Sequence, residues 1–327
     1  MTPCKEPPGG ARNLLFLTIS EFALIERLRQ RLVGPPDQIW VGDDVAVVPG
    51  PRGPMLLAAD AVVAGVHADL NLVGLDDMGW KAMVANVSDI AAVGGRPSCA
   101  VVTVAGPLGE IDFDLLYDGL TAASSAYDCP IVGGDLASSA TLVVSVAIVG
   151  DGGAGELPAP VLRSGAQAGD TIFVTGPLGS SAAGLYLLRK GLVAEAPDLV
   201  LAHRRPRARL DEGTAARSAG ATAMIDVSDG LAADLRHIAA ASGVGVVLDR
   251  VPVAIGVNRV SDDPESLALG GGEDYELLFT APDPDLVQTT FAERGLGKPL
   301  PIGRCTADAA ERRLRDGDLP ALGWEHT

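Results

Sequence analysis

Aspartate-centred segments recur along the sequence, most of them in glycine-rich stretches, and one basic segment accompanies them. The acidic segments are 42–44 (GDD), 60–67 (DAVVAGVH), 88–89 (SD), 133–135 (GGD), 226–230 (DVSDG) and 271–274 (GGED), and the basic segment is 163–165 (RSG). Proteins usually hold Mg²⁺ with a few carboxylates together with substrate phosphates, because this ion requires oxygen ligands in near-octahedral geometry. The pattern therefore indicates a site for a divalent metal and, with it, a phosphorylated ligand.

An alternative interpretation is that these residues only form turns, since Asp bonds its own backbone and Gly adopts positive φ. Any single GD or GGD pair is better explained in this way. Four of the segments, however, directly adjoin apolar runs. This predicts that the acids lie at strand ends, where α/β proteins bind ligands, and favours one shared polyanion site.

The charge composition limits the classes of partner. The 327 residues include 25 Lys and Arg against 42 Asp and Glu, a formal net charge of −17. Such acidity argues against binding to nucleic acid or to an anionic membrane. Phosphates can bind beside the aspartates only if cations screen the two from each other, so the acidity itself favours a divalent metal.

The sequence lacks the patterns of a membrane helix, a signal peptide and paired cysteines. No apolar stretch approaches the roughly 20 residues of a membrane helix, and the N-terminal stretch has no signal-peptide pattern, so we expect a cytoplasmic protein without a membrane partner. Four cysteines are widely scattered, without a CxxC pair: Cys4, Cys99, Cys129 and Cys305. Neither a zinc site nor a disulfide framework is indicated.

The elements that must position these acids divide into two halves with the same pattern, in which Val, Ile and Leu strands alternate with Ala-rich helices. We predict a tail at 1–19, a first domain at 20–150, a Gly- and Pro-rich linker at 151–160, and a second domain at 161–327. Helices are predicted from Ser20 to Gly34 and at 76–93, 112–127, 180–190 and 231–241; strands are predicted at 39–41, 46–48, 55–57, 100–104, 141–149, 170–175 and 221–225.

Two local patterns in the second half leave alternatives open. The strand 170–175 runs into GPLGSSAAGL, whose free amides at a helix start could bind phosphate, although it matches neither a P-loop nor a Rossmann fingerprint. Ser228 could bind a phosphate, or it could simply cap the helix that follows.

The motifs, in order along the sequence, are GDD, D-x-x-V-x-G-x-H, SD-x-A-A-x-G, GGD, RSGA-x-x-GD, D-x-SDGL, GGEDYEL and GW-x-H, and the pattern extends from Ser20 to His326. This ordered set resembles that of the thiamine-monophosphate kinase family and, more loosely, that of the aminoimidazole-ribonucleotide synthetase superfamily. The resemblance implies an α/β fold of two domains, with an α+β N-terminal domain that forms a homodimer through its sheet and an α/β C-terminal domain. It also implies direct Mg²⁺-assisted transfer of the ATP γ-phosphoryl group to thiamine monophosphate, without a side-chain nucleophile.

The same resemblance implies roles for individual residues. The implied magnesium ligands are Asp43, Asp60, Asp89, Asp135, Asp226 and Asp229, with Asp44 as a neighbouring partner. The implied ATP contacts are Tyr117, Gly134, Asp135, Arg163 and Ser228, and the residues implied to surround the thiamine moiety are His67, Glu273 and Trp324.

The sequence departs from the family pattern near the acceptor and one metal ligand. Ala58, Ala59 and Ala61 stand around Asp60 where hydroxyl residues are usual, and Ala68 and Thr327 replace aromatic residues. Two alternatives therefore stay open: another ATP-dependent enzyme of the superfamily with a different acceptor, and an inactive nucleotide-binding paralogue. The residues after Cys4 argue against selenophosphate synthesis, and the terminal Thr327 argues against the hydrogenase-maturation role.

Overall fold

The computed structural model describes residues 21–41, 45–153 and 158–324. Three parts of the sequence prediction lie outside those ranges: the predicted tail, Asp43 with Asp44, and the terminal residues 325–327. Part of the predicted linker, 154–157, lies outside them as well.

The first half contains three helices and four strands among its described residues. They are α1 (Glu21–Arg31), β1 (Met55–Val63), α2 (Leu75–Ala92), β2 (Arg96–Gly106), α3 (Phe113–Ala126), β3 (Ile131–Ser138) and β4 (Val143–Asp151). The strands form one sheet in the order β1-β4-β2-β3, in which only β2 and β3 are parallel. Helix α3 connects those two parallel strands, as a parallel pair requires a crossover.

The second half contains a larger mixed sheet. Its elements are β5 (Thr171–Val174), α4 (Ser180–Lys190), α5 (Pro197–Arg204), α6 (Leu210–Ser218), β6 (Ala223–Asp226), α7 (Leu231–Ser242), β7 (Gly245–Leu248), α8 (Val257–Val260), α9 (Pro264–Gly270), β8 (Leu277–Ala281), α10 (Pro284–Glu293), β9 (Leu300–Thr306), β10 (Arg312–Leu314) and β11 (Gly317–Asp318). The strand order is β11-β10-β7-β9-β5-β8-β6. The described residues therefore confirm a two-part fold with mixed helix and sheet.

Helix α2 joins the two halves. Its apolar side chains, among them Met78, Met83 and Val87, are fully buried, and the helix packs on β1 and β4 as well as on α6 and β6 of the second half. Asp76 and Asp77 stand in its first turn, where the helix dipole favours negative charge. Because α2 is covered on both sides, it fixes the position of one half relative to the other.

Most predicted helices are confirmed within a residue or two, including α2, α3, α4 and α7. The predicted strands 39–41 and 46–48 are only an isolated bridge between Ile39 and Val47. No helix of the described residues is long and apolar enough to span a membrane.

The prediction that the acids stand in turns at strand ends is wrong for two of them. Asp60 lies inside β1, and Asp135 lies inside β3, a strand that the sequence pattern did not predict. Gly134 allows close strand contact, since a Cβ at this position would clash with the carbonyl oxygen of Val102. Asp226, in contrast, is the last residue of β6, as predicted.

Candidate functional site

The two halves meet at a hydrogen bond between α2 and the end of β6. The Ser88 hydroxyl donates to a carboxylate oxygen of Asp226 over 2.6 Å, and both residues are buried. Asp89 follows Ser88 on α2 and lines a cleft together with Asp226. Two of the predicted metal ligands are therefore brought together from positions far apart in the sequence.

Asp60 and Arg163 lie within the electrostatic range of this pair. Burial, followed by the charges of Asp226 and Asp60, raises the pKa of Asp89 to about 7, and Arg163 partly opposes that rise. Burial likewise raises the pKa of Asp226, against the hydrogen bond from Ser88 and the charge of Arg163. Close carboxylates of raised pKa with one arginine nearby form a site that favours additional positive charge.

The cleft beside these carboxylates has a volume of about 590 Å³ and is lined by both halves. Its polar lining includes Asp89, Arg163 and Asp226, and its apolar lining includes Met55 and Met224. A concave surface with a few convergent charged groups between apolar walls is the usual form of a small-molecule site.

A second acidic group stands where the chain enters α7. Oxygen atoms of Asp229 and Asp234 and a ring nitrogen of His237 lie within 4.8 Å of one another. The Asp234 carboxylate accepts the backbone N–H groups of Asp229 and Gly230, at 3.2 and 3.1 Å. Burial, with the charges of Asp226 and Asp229, raises the pKa of Asp234 to about 8.

The alternative that Ser228 caps α7 is wrong, because Gly230 occupies the N-cap position and no side chain caps the helix there. The carbonyl oxygen of Ser228 instead accepts the N–H of Glu273 over 2.8 Å. The Ser228 side chain is thus not the N-cap of α7, and its contact with a phosphate stays a prediction.

The GGED segment is a loop between α9 and β8 whose acids bind different elements. Glu273 has a φ of 65° and accepts from Lys81 on α2 over 2.8 Å. Asp274 accepts the backbone N–H groups of Gly179 and Ser181, at 2.6 and 3.0 Å. Because Asp274 binds amides at the start of α4, the structure favours an internal cap there over a phosphate-binding loop.

Asp60 and Asp135 stand on opposite edge strands of the first sheet. Asp60 pairs with Val146 on β4, whereas Asp135 pairs with Thr103 on β2. Three strand spacings separate β1 from β3, or roughly 14 Å. One ion bound to Asp60 therefore cannot also contact Asp135 of the same chain, and the role of Asp135 and of Gly134 beside it stays a prediction.

The residues predicted around the acceptor occupy several environments. His67 lies in the turn after β1, where its Nδ1 accepts the N–H of Val63 over 3.1 Å. Trp324 is half exposed, and its backbone N–H donates to the carbonyl oxygen of Asp229 over 3.0 Å. Trp324 is therefore held against the loop that carries Asp229.

Tyr117, the predicted nucleotide contact, is buried on α3 within the hydrophobic core, and burial raises its pKa. Its side chain is only 3% exposed. Its proposed contact with ATP stays a prediction.

Sequence reasoning missed two residues of this region. Tyr275 is buried, and its pKa is raised well above the usual value by burial and by the charges of Glu273, Asp226, Asp60 and Asp89. Lys81 is 1% exposed. A lone lysine within the apolar face of a buried helix was the signal that could have identified it.

Comparison with known protein families identifies a related domain in each half of the chain. Residues 42–151 match the family model of the AIR synthase related protein N-terminal domain, and residues 167–314 match that of its C-terminal domain. A thiamine-monophosphate kinase of Mycobacterium tuberculosis (strain H37Rv) is 39% identical over 321 residues, covering 94% of this chain and 91% of the relative. An Escherichia coli (strain K12) thiamine-monophosphate kinase is 36% identical over 325 residues, covering 94% of this chain and 98% of the relative.

Solved structures are similar over nearly the whole chain. The crystal structure of a thiamine-monophosphate kinase from Stenotrophomonas maltophilia K279a is 34% identical with a TM-score of 0.80, covering 92% of this chain and 98% of its own. AaThiL complexed with AMPPCP and TMP is 32% identical with a TM-score of 0.73, covering 94% of this chain and 97% of its own. By sequence and by fold, this chain belongs to the thiamine-monophosphate kinase family of AIR synthase related proteins.

Proposed function

We propose that this protein transfers the γ-phosphoryl group of ATP to thiamine monophosphate, giving ADP and thiamine diphosphate. The observation that carries the proposal is the convergence of Asp60, Asp89, Asp226 and Arg163 beside a cleft lined by both halves. The curated relatives are named for this kinase activity, and one similar structure is a complex with an ATP analogue and TMP.

The residues present fit magnesium. The donors that Asp60, Asp89 and Asp226 offer are all carboxylate oxygens, which are the ligands this ion prefers. Two of these carboxyls have raised pKa values because they are buried near other acids, and a bound cation would stabilise their charged forms. When bound, Mg²⁺ would neutralise phosphate charge and so reduce the repulsion between two anionic substrates.

The side chains of the chain itself bind and orient the substrates. Arg163 lines the cleft and offers a cation to a phosphate. Ser88 fixes the rotamer of Asp226 through its hydrogen bond. In this proposal His67, Glu273 and Trp324 surround the acceptor, whose phosphate is anionic near neutral pH and needs no general base.

A phosphoenzyme is not part of the proposed reaction. The free cysteines among the described residues are Cys99, Cys129 and Cys305, and all three are buried. Burial raises the pKa values of Cys129 and Cys305 to about 12, which keeps them as thiols near neutral pH. These pKa values disfavour a cysteine nucleophile, and we propose direct transfer between the two bound phosphates, in which positioning supplies much of the rate.

The decisive experiment is an assay of the purified protein with ATP, Mg²⁺ and thiamine monophosphate that follows ADP and thiamine diphosphate together. Equal amounts of both products are expected. ADP that accumulates only with another phosphorylated acceptor would support a different reaction of the superfamily. ATP binding without any product would support the inactive paralogue and overturn the proposal.

A further inference from the structure

Lys81 is a buried cation that forms an ion pair with a carboxylate of the other half. Its ammonium Nζ lies 2.8 Å from Oε2 of Glu273, in a side chain that is 1% exposed. Glu273 is more open, at 28%. The pair therefore has one end inside the protein and one end at the surface of the loop.

Two basic side chains, Lys81 and His203, lie near the carboxylate of Glu273. The ring of His203 also approaches, with Nδ1 3.6 Å from Oε2 of Glu273. Burial and the charge of Lys81 lower the pKa of His203 to about 3, so that imidazole is neutral near pH 7. Its Nδ1 lies 3.1 Å from the Ser181 hydroxyl, a contact that orients the ring.

Both contacts reach the same carboxylate oxygen. Lys81 and His203 approach Oε2 of Glu273, and within the described ranges no hydrogen bond reaches Oε1. The Glu273 backbone is fixed as well, because its N–H donates to the Ser228 carbonyl and its φ is 65°. One oxygen of an oriented carboxylate is thus left for an external hydrogen-bond donor.

Stability alone does not explain a charge at position 81. A buried ion pair can often be replaced by apolar side chains of similar volume without loss of stability. The neighbours of Lys81 on α2, such as Met78 and Met83, are buried apolar residues that show what packing in this helix uses. The role of the Lys81 ammonium is therefore to orient the carboxylate of Glu273.

The position of Lys81 on α2 connects this carboxylate to the acidic cluster. Lys81 and Ser88 are seven residues apart, which places them on the same face of the helix about 10 Å apart. Lys81 binds Glu273, and Ser88 binds Asp226. One rigid helix of the first half thus sets the distance between two carboxylates of the second half.

We infer that Lys81 is a positioning residue that holds the Glu273 carboxylate in a fixed orientation, so that its free oxygen accepts an N–H or O–H donor of the acceptor substrate. This inference rests on the proposed function. It predicts that Lys81 affects recognition of the acceptor and leaves recognition of ATP unchanged.

The test compares steady-state kinetics of the full chain with Lys81→Met, Lys81→Arg, Glu273→Gln and the Lys81→Met/Glu273→Gln double variant. Lys81→Met is expected to raise the KM for thiamine monophosphate by about tenfold while the KM for ATP stays within about twofold. Lys81→Arg is expected to recover most of the loss. The double variant should be no worse than Glu273→Gln alone, because the two residues act as a unit.

A matched control separates positioning from general damage. Arg217 is also a buried cation, and it donates to backbone oxygens of Pro158 and Gly94. Arg217→Met should lower the melting temperature without changing the ratio of the two KM values. If Lys81→Met does not fold, Lys81→Gln replaces it in the same comparison.

The outcomes distinguish the two proposals. An active wild type in which Lys81→Met changes both KM values equally, or changes neither, overturns the inference alone. Additive losses in the double variant also overturn it. A wild type that forms no thiamine diphosphate overturns the proposed function, and the inference falls with it.

Discussion

Ser88 of the first half and Asp226 of the second half are joined by a buried hydrogen bond of 2.6 Å. The bond places the end of β6 against α2, the helix that also carries Asp89. The contact between the two halves therefore also brings the acids of the cluster together.

Replacement of Asp89 by Asn should reduce turnover by about 100-fold or more, because it removes a charged oxygen ligand from the cluster. The melting temperature should not fall, since the carboxyl is partly buried and its raised pKa reports an unfavourable charge. Assays of turnover and thermal unfolding check both points. Asp249→Asn, which alters an exposed pair with Arg304, is the control and should retain activity. Full activity in Asp89→Asn would contradict the metal assignment.

Ser88→Ala should weaken the apparent affinity for Mg²⁺ by roughly tenfold, because Asp226 loses the donor that fixes its rotamer. It should also reduce the free energy of unfolding by about 1–3 kcal/mol, since a buried carboxylate loses a partner. Titration of turnover with Mg²⁺ and denaturant unfolding measure these effects. Ser218→Ala, which loses a bond within α6 to Thr214 and a bond from Arg294, is the control. An unchanged Mg²⁺ dependence would contradict the role of Ser88 in orienting Asp226 for the metal.

The metal-free protein should lose stability as the pH rises from 6.5 to 8. The pKa of Asp234 is about 8 in the folded protein, above its usual value, so the folded state holds a proton that the unfolded state has released. Stability from this group is present at low pH and is lost as the pH rises through 8, with a slope of at most about 1.4 kcal/mol per pH unit. His203, whose pKa is lowered to about 3, acts in the opposite direction only below about pH 6.5.

Denaturant unfolding across that pH window checks this prediction with Asp234→Asn, which should have a flatter slope than wild type. Asp263→Asn is the control, because the pKa of Asp263 is lowered and its titration lies below the window. An equally steep decline in Asp234→Asn would assign the effect to other groups.

Ala58→Ser should increase the affinity for Mg²⁺ by roughly threefold, whereas Ala59→Ser should not. Side chains alternate along a strand, so Ala58 lies on the same face of β1 as Asp60, and Ala58 lines the cleft. A hydroxyl there adds an oxygen donor for the metal or its water. Mg²⁺ titrations of the two variants provide their own control. Equal effects at both positions would contradict the assigned faces.

Local patterns predicted much of the fold. Apolar periodicity and the flanking glycines predicted α2, α4 and α7, because helix formation and termination depend on residues within a few turns. The GGD segment misled the prediction, since glycine also permits the close strand contact that β3 makes with β2. A glycine in a sequence does not reveal whether it forms a turn or permits a close contact between strands.

The sequence by itself determined the acids, their order and the family resemblance, and it indicated that Asp60, Asp89 and Asp226 act on phosphate through a metal. Only the tertiary structure decided which acids meet. The pairs Ser88–Asp226 and Lys81–Glu273 are separated by 138 and 192 residues, and Asp60 and Asp135 stand on opposite edges of one sheet. Strand order and helix packing set these distances, and both depend on the burial of apolar surface across the whole chain rather than on any local segment.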